Sequence, residues 1–368
     1  MATRSVALDF FRGLAMLVIV VDHIGGSILS RYTLHAFAFP DAAEAFVFLS
    51  GYALAGAWRA WCRRDGEQAS RRLLRRLWPI YRGFLICAGA MLAIAALCRA
   101  VDFQAPNLPM ADLDALRDAP ATYLLDLLLL RHQPYLASVL PMYLVFVAAA
   151  PVVLPMGLRW PVRTFAVSAL VWTFADGGVL TWLASAGGDA WAFNPFAWQW
   201  MFVIGVVARA EAVRCLFAMP ASRHGIGGVA LAVVLGCAAW RLWIAPGYLD
   251  PELKRNLAVL RVLNFTALAW LGAMAGRFAG QRAWSRATIR PMRWVATIGR
   301  HSMASYIAGS AISLVVDTLL YRYTGGRLDY PAGLLADGVA VAASAGFASW
   351  IDRRRALAPT PAPLPSRG

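Results

Sequence analysis

Stretches of mostly apolar residues, each long enough to form a membrane-spanning helix, recur along nearly the whole of this chain between short polar segments. A helix needs about 20 such residues to cross the hydrocarbon core of a bilayer. The chain has 60% hydrophobic residues and a mean hydropathy of +0.57, which is more apolar surface than a soluble domain could bury. The sequence therefore predicts an all-α, polytopic integral membrane protein.

The apolar blocks predict about ten transmembrane helices. We place them at residues 8–29, 42–58, 78–97, 134–154, 162–182, 196–212, 225–244, 257–278, 298–321 and 331–351. A shorter stretch, Tyr123 to Leu130, is expected to form an interfacial or re-entrant half-helix, because Asp126 lies inside it. Residues 1–355 are expected to form a single transmembrane domain, and residues 356–368 a disordered, proline-rich tail.

The distribution of arginine predicts the orientation of these helices. The formal net charge is +15, from 35 basic and 20 acidic residues, and Lys254 is the single lysine. The arginines concentrate after the even-numbered helices, at residues 59–76, 159–163, 214–223, 277–293 and 353–355. The positive-inside rule places such segments in the cytoplasm, with both termini. Most of the charge is thus explained by topology and by membrane lipids, and nucleic acid is not an expected partner.

The five cysteines do not form a recognisable redox or metal-binding motif. They show no CxxC pair, and several lie within apolar stretches, where a thiol behaves as a small hydrophobic group. We therefore expect neither a disulfide nor a metal site.

Ionisable residues within the first apolar block form the strongest candidate site, because such groups are costly at membrane depth. Arg12 and His23 are eleven positions apart. At 100° per residue, this spacing puts both side chains on one helix face, about 16 Å apart along the axis. Arg12 is therefore expected at the cytoplasmic edge, and His23 near the middle of the membrane.

A neutral histidine in this position can act as a general base towards a hydroxyl group. Glu44, at the outer end of the second predicted helix, is expected at a depth comparable with that of His23 and could pair with it. Asp22 points about 100° away from His23 and is expected to contact another helix or the substrate. The alternative is that His23 only forms a hydrogen bond to a neighbouring helix.

Further polar groups near the ends of predicted helices are candidate binding residues, each with a structural alternative. Asn194 and Gln199 are suited to binding hydroxyl groups, or to a turn and helix cap. Arg300 and His301 lie at a predicted helix start, where they can bind phosphate or cap the helix. Arg261 either extends to the interface or binds a carboxylate.

Tryptophans near helix ends are typical of the membrane interface. Three of them, Trp191, Trp198 and Trp200, crowd one outer end, where they could instead form a platform on which sugar rings stack.

Seven segments of the chain carry a recognisable pattern, at residues 8–15, 22–24, 39–52, 140–143, 193–199, 263–269 and 299–302. In these segments the chain resembles the OpgC family of bacterial membrane proteins, which is similar to the acyltransferase-3 group. In that group an arginine, ten residues and a histidine mark the first helix, and Arg12 and His23 fit this spacing. The segment 140–143 ends at Tyr143, which the resemblance adds to the candidate substrate-binding residues.

The resemblance implies O-acyl transfer, with succinylation of a periplasmic glucan in the bacterial inner membrane. We expect acyl-CoA as co-substrate, no permanently bound cofactor, and direct transfer with His23, Glu44 and Arg12 as catalytic residues. Arg12, Arg300 and His301 are expected to bind the phosphates of acyl-CoA. An acyl-histidine intermediate, a transporter of a glycan or anionic metabolite, and a non-catalytic scaffold for envelope synthesis remain open.

Overall fold

The computed structural model describes residues 6–103, 105–175, 191–244, 250–280 and 286–357, and these are helical with short connections and contain no β-strand. The helices are α1 Val6–Asp22, α2 Leu34–Phe37, α3 Ala42–Leu74, α4 Leu77–Ala100, α5 Met110–Asp118, α6 Pro120–Leu128, α7 Val139–Arg159, α8 Pro161–Thr173, α9 Pro195–Val207, α10 Glu211–Ala218, α11 Pro220–Ala239, α12 Pro251–Arg255, α13 Val259–Gly280, α14 Arg286–Arg300, α15 Ser302–Thr324 and α16 Tyr330–Leu357. The expected all-α class is confirmed.

Six helical segments among the described residues are long and apolar enough to cross a membrane. They are Gln68–Ala100, Tyr135–Arg159, Pro220–Ile244, Val259–Arg277, Ser302–Thr324 and Tyr330–Arg355. Helices α1, α8 and α9, at 17, 13 and 13 residues, are shorter. The number of ten spans and the location of the termini therefore stay predictions. Helix α8 ends at Thr173, within the helix expected at residues 162–182, because the backbone of Phe174 and Ala175 forms a turn and a bend. Residues 176–182 of that prediction, and the tail from residue 358, lie outside the described residues.

The ends of α1 and α3 also differ from those expected, and both bear on the candidate site. Helix α1 ends at Asp22 rather than at residue 29, so that His23 lies at the helix C-terminus. Helix α3 continues beyond residue 58 to Leu74, with non-helical backbone angles at Asp65. The arginine-rich segment expected as a loop is therefore largely helical, because arginine is a good helix former and hydropathy reports only where the apolar part of a helix stops.

Helices α1 and α3 occupy central positions in the bundle. Helix α1 contacts α3, α14, α15 and α16, while α3 also packs against α7 and α9. Aromatic and aliphatic side chains fill the space between them, including the buried Met16, Phe46, Phe146 and Trp198. Residues on α1 and α3 are thus surrounded by protein on most sides, which suits a site that must exclude lipid and water.

Pairs of glycines allow the backbones of these two helices to touch their neighbours. A Cβ atom on Gly13 of α1 would overlap the carbonyl oxygen of Val295 in α14, and one on Gly299 would overlap that of Asp9. Small residues permit such close helix contacts in membrane proteins, where van der Waals packing drives association.

The same arrangement joins α3 to α9. A Cβ on Gly51 would overlap the carbonyl oxygen of Phe202, and one on Gly205 would overlap that of Phe48. We expect Gly51→Ala to destabilise the protein by about 1–3 kcal/mol, because the two helices must separate to admit the methyl group. A lower thermal unfolding midpoint in detergent would report this loss.

Gly66→Ala in the same helix is the matched control, since an added Cβ there meets nothing within 4 Å. Alanine has the higher helix propensity, so this control is expected to unfold at the same or a higher temperature. Equal midpoints for the two variants would contradict the close contact at Gly51.

Candidate active site

Four charged side chains form a network at the N-terminal end of α3, in which Glu44 and Arg261 are buried and Asp41 and Lys254 are partly exposed. Arg261 of α13 donates from Nε to Oε1 of Glu44 over 2.6 Å, and its Nη2 lies 3.4 Å from Oδ2 of Asp41. Lys254 of α12 lies 2.7 Å from the same Asp41 oxygen. Two cations and two anions thus compensate one another within one cluster, which makes their burial tolerable.

The local sequence explains why Glu44 occupies this position. Asp41 is the N-cap of α3, and its Oδ1 accepts a hydrogen bond of 2.7 Å from the backbone N–H of Ala43. Glu44 returns the interaction by accepting from the backbone N–H of Asp41 over 2.9 Å. This capping box holds both carboxylates at the start of α3, where Arg261 contacts them.

His23 stands at the C-terminus of α1 with a defined tautomer. Its Nδ1 lies 2.6 Å from the carbonyl oxygen of Ile19. Because a carbonyl oxygen only accepts, the neutral ring must carry its proton on Nδ1, which leaves Nε2 as the basic nitrogen. The imidazole packs beside the ring of Tyr135, with 5.7 Å between centroids. His23 can therefore take a proton through Nε2.

The network and His23 lie near each other but are not directly bonded. The charges of Lys254, Asp41 and Asp22 are close enough to act on the imidazole. The expected pairing of Glu44 with His23 is corrected here, because the carboxylate of Glu44 binds Arg261 and the carbonyl group of Ile19 orients the ring. Of the two alternatives predicted for Arg261, the structure shows the contact with a carboxylate. The carboxylates are those of Asp41 and Glu44 in the protein itself.

Asp22 contacts the loop that follows α1 rather than another transmembrane helix. Its Oδ1 accepts a hydrogen bond of 2.8 Å from the hydroxyl of Thr33 and lies 3.3 Å from Nδ1 of His35. The hydrogen bond to Asp22 raises the pKa of the His35 imidazole. Asp22 therefore fastens the loop against the end of α1, next to the candidate base.

Arg12 lies in the same helix as His23, ten residues before the helix ends. Its charge acts on the guanidinium of Arg76 and on the hydroxyl of Tyr143. Tyr143 is buried, donates a hydrogen bond of 3.1 Å to Ser50, and packs edge-on against Phe46. Tyr143 therefore joins α7 to α3 through its contacts with Phe46 and Ser50.

Arg300 and His301, expected to bind phosphate, both contact a carboxylate of the protein. Nη1 of Arg300 lies 3.0 Å, and Nε2 of His301 3.1 Å, from Oδ1 of Asp352 in α16. His301 is buried, whereas the side chain of Arg300 remains 45% exposed. Asp352 thus occupies the position expected for an anion, and phosphate binding by these two residues stays a prediction.

Asn194 and Gln199, expected to bind substrate hydroxyls, use all their amide groups within the protein. Asn194 caps α9 through Phe196 N–H and donates to Ala175 O and Asn256 Oδ1. Gln199 accepts from the hydroxyl of Ser168 and donates to the carbonyl oxygens of Ser168 and Phe196. These contacts support the structural alternative, because they hold α8, α9 and the segment after α12 together.

The three tryptophans near these amides are buried rather than open to a sugar. Trp198 is fully buried and donates from its indole N–H to the carbonyl oxygen of Lys254 over 2.9 Å. Trp191 and Trp200 are each 8% exposed. The stacking platform is therefore not formed in this structure, and the indole of Trp198 instead supports the segment that carries Lys254.

Four acidic or basic residues in this region were not predicted from the sequence as members of the site. Asp41 and Lys254 complete the ionic network, while Asp317 and Asp337 are buried carboxylates that bind the loop after α1. The last two lie within predicted apolar helices, at residues 298–321 and 331–351. The cost of ionisable groups at membrane depth, which identified His23, was therefore the signal that could have identified them.

The sequence of the chain matches the model of one protein family over nearly its full length. The sequence model described as OpgC protein matches residues 4–356, which include both α1 and the last described helix. No curated protein and no solved structure shows a significant match to the chain. On the strength of the match across nearly its full length, this membrane protein belongs to the OpgC family.

Proposed function

We propose that this protein is an O-acyltransferase that moves an acyl group from cytoplasmic acyl-CoA to a hydroxyl group of a periplasmic glucan. Membership of the OpgC family supports an acyltransferase role at the level of the family. The observation that carries the proposal is the basic Nε2 of His23, fixed by the bond from Nδ1 to Ile19, on the helix that also bears Arg12.

The proposed reaction needs no permanently bound cofactor. Nε2 of His23 accepts the proton of the acceptor hydroxyl while the hydroxyl oxygen attacks the thioester carbonyl carbon. The carbon–sulfur bond then breaks, and the leaving thiolate receives the proton from His23. Because Nδ1 stays protonated throughout, the carbonyl group of Ile19 stabilises the transient imidazolium.

Arg12 is the proposed contact for the phosphates of acyl-CoA. Eleven residues of helix correspond to about 16 Å, so the donor must span this distance between its phosphates and its thioester. Arg300 and the basic segment at the end of α3 add positive charge for the same purpose. Arg12 and Arg300 lie on helices that touch, since α1 packs against α14.

Succinyl is the acyl group that we propose. Its free carboxylate needs a cation near the thioester, and the charge of Lys254 reaches His23. The side chain of Lys254 pairs with Asp41 but is 37% exposed, whereas Arg261 is buried and bound to Glu44. Lys254 is therefore a better contact for the substrate than the Arg261 predicted from sequence.

The topology in this proposal has ten spans, both termini in the cytoplasm, and a location in the bacterial inner membrane. Acyl-CoA then approaches Arg12 from the cytoplasm, and the glucan approaches His23 from the opposite side. The arginine-rich second half of α3 supports this orientation, since the positive-inside rule places such segments in the cytoplasm.

Release of free CoA thiol tests the proposed activity. Purified protein would be incubated with succinyl-CoA or acetyl-CoA, with and without a soluble glucan. Thiol release that requires the glucan supports acyl transfer, and the faster donor identifies the acyl group. If no donor gives thiol release, counterflow of labelled glucan across vesicles without covalent change would support the alternative, a transporter.

Arg12→Ala is expected to raise the apparent KM for acyl-CoA about tenfold or more with less change in kcat, because a charge-assisted contact is lost in both the bound and the transition state. Arg163→Ala is the matched control, because Arg163 is an exposed arginine on α8, a helix that packs against α7 and α9. An effect confined to the KM of the glucan would move the donor site elsewhere.

A further inference from the structure

The segment that follows α1, residues 23–33, leaves the helix through tight turns and carries His23 at its start. The N–H of Ile24 donates to the carbonyl oxygen of Val21 over 3.2 Å, and that of Ser27 to Ile24 over 3.0 Å. The chain then enters the 3₁₀ helix Leu29–Tyr32. The direction in which it leaves α1 therefore determines where the backbone of His23 lies.

Asp317 of α15 fixes the first of these turns. Its Oδ1 accepts a hydrogen bond of 2.7 Å from the backbone N–H of Gly25, two residues after His23. Its Oδ2 accepts a bond of 2.8 Å from Nδ2 of Asn107, in the connection before α5. The carboxylate is 5% exposed, so it is held between the loop and the core of the protein.

Asp337 of α16 fixes the second turn. A single oxygen, Oδ2, accepts from the backbone N–H groups of Ile28 and Leu29 over 2.9 and 2.8 Å, and so caps the 3₁₀ helix from another part of the chain. Asp337 is 1% exposed. Helix α16 lies directly against the loop, since a Cβ on Gly333 would come 2.5 Å from the carbonyl oxygen of Gly26.

Neither carboxylate forms an ion pair with a basic side chain of the described residues. The backbone N–H groups of the loop therefore supply much of the hydrogen bonding that a buried anion requires. Movement of the loop away from α15 and α16 would leave two buried carboxylates without these donors. The loop and the two acids consequently hold each other in one position.

We propose that Asp317 and Asp337 are positioning residues for His23. They set the backbone of the loop, and through it the direction of Nε2, without touching either substrate. This inference rests on the acyltransferase function proposed above, because it assigns the two acids to the geometry of that reaction. A displacement of about 1 Å at a reacting group can lower a rate by about a hundredfold.

Two substitutions at each acid separate position from charge. Asp317→Asn and Asp337→Asn remove the charge but keep an oxygen for the loop. The new amide NH2 of Asp337→Asn would lie where Oδ1 has no hydrogen-bond partner among the described residues. In Asp317→Asn, the side-chain amide of Asn107 can rotate so that its oxygen accepts from the new NH2 group. This rotation restores the hydrogen bond between the two side chains. Asp317→Glu and Asp337→Glu keep the charge and lengthen the side chain by one methylene, which displaces the loop.

The expected result is a fall in kcat of about a hundredfold for the glutamate variants, with an unchanged KM for acyl-CoA, because Arg12 is not disturbed. The asparagine variants are expected to keep kcat within about fivefold. Loss of activity in the asparagine variants alone, or equal loss in both series, would overturn the positioning role. Unchanged kcat in the glutamate variants would overturn it as well.

Hydrogen–deuterium exchange of the same proteins gives a readout that does not depend on activity. Peptides covering residues 24–33 are expected to exchange faster in the glutamate variants than in wild type or the asparagine variants. If wild type releases no CoA thiol, the proposed function fails and exchange alone decides: equal protection in all variants overturns the anchoring of the loop.

Discussion

Replacement of His23 by alanine is expected to lower kcat for acyl transfer by about 10²–10⁴-fold, the range that general-base catalysis contributes. The physical reason is the fixed tautomer: only Nε2 is basic, because Nδ1 donates to the carbonyl group of Ile19. Acceptor-dependent release of CoA thiol measures the effect.

His23→Asn provides a sharper form of this experiment. The asparagine NH2 can replace the Nδ1–H as donor to Ile19, which preserves the helix end, but the side chain contains no basic nitrogen. It is therefore expected to be as inactive as His23→Ala. His224→Ala, at an exposed histidine of α11, is the control and should keep full activity. Full transfer by a folded, inserted His23→Asn protein would refute the role of His23 as base.

Removal of one partner from the buried ionic network has the largest expected effect on stability. Glu44→Ala leaves the guanidinium of Arg261 without its 2.6 Å partner and leaves the N–H of Asp41 unpaired. Breaking a buried ion pair in this way costs about 3–5 kcal/mol. The free energy of unfolding in mixed micelles, from denaturant titration, is the measurement.

The double variant Glu44→Leu with Arg261→Met is expected to recover much of this loss, because no unpaired charge then remains between α3 and α13. The exposed pair Glu211 and Arg214 is the control. Its removal should change the free energy of unfolding by less than about 1 kcal/mol. A Glu44→Ala protein no less stable than this control would contradict a structural role for the network.

The class of fold, and the helices that carry polar residues, could be predicted from the sequence. The residues that these polar side chains contact could not. Hydropathy identified the apolar helices, because helix length and apolar content are local properties. It could not find the end of α1 at Asp22, where the following loop binds α15 and α16. It also could not find the helical continuation of α3 past Trp58, because that part of the helix is polar. Helix boundaries respond to such contacts more than helix identity does.

The partners of the polar side chains could not be predicted for the same reason. Arg261 meets Glu44 across 217 positions of sequence, and Asp337 meets Ile28 across 309. Asn194 and Gln199 have amide groups suited to binding a substrate, but these groups form hydrogen bonds with neighbouring segments of the protein instead. Spacing within one helix predicts a shared face, whereas contacts between distant segments require the packed structure.

The backbone contacts of α1 with α14 and of α3 with α9, made at Gly13, Gly299, Gly51 and Gly205, bear on how substrates are chosen. Helices slide past each other by repacking side chains between them, and these crossings have no side-chain layer to repack. The spacing between Arg12 and His23 is set by the rise of α1, and the contact with α14 holds that helix in place beside it. In the proposed reaction, selection among donors then becomes a measurement of length, in which a donor with too short a linker can engage its phosphates or its thioester but not both.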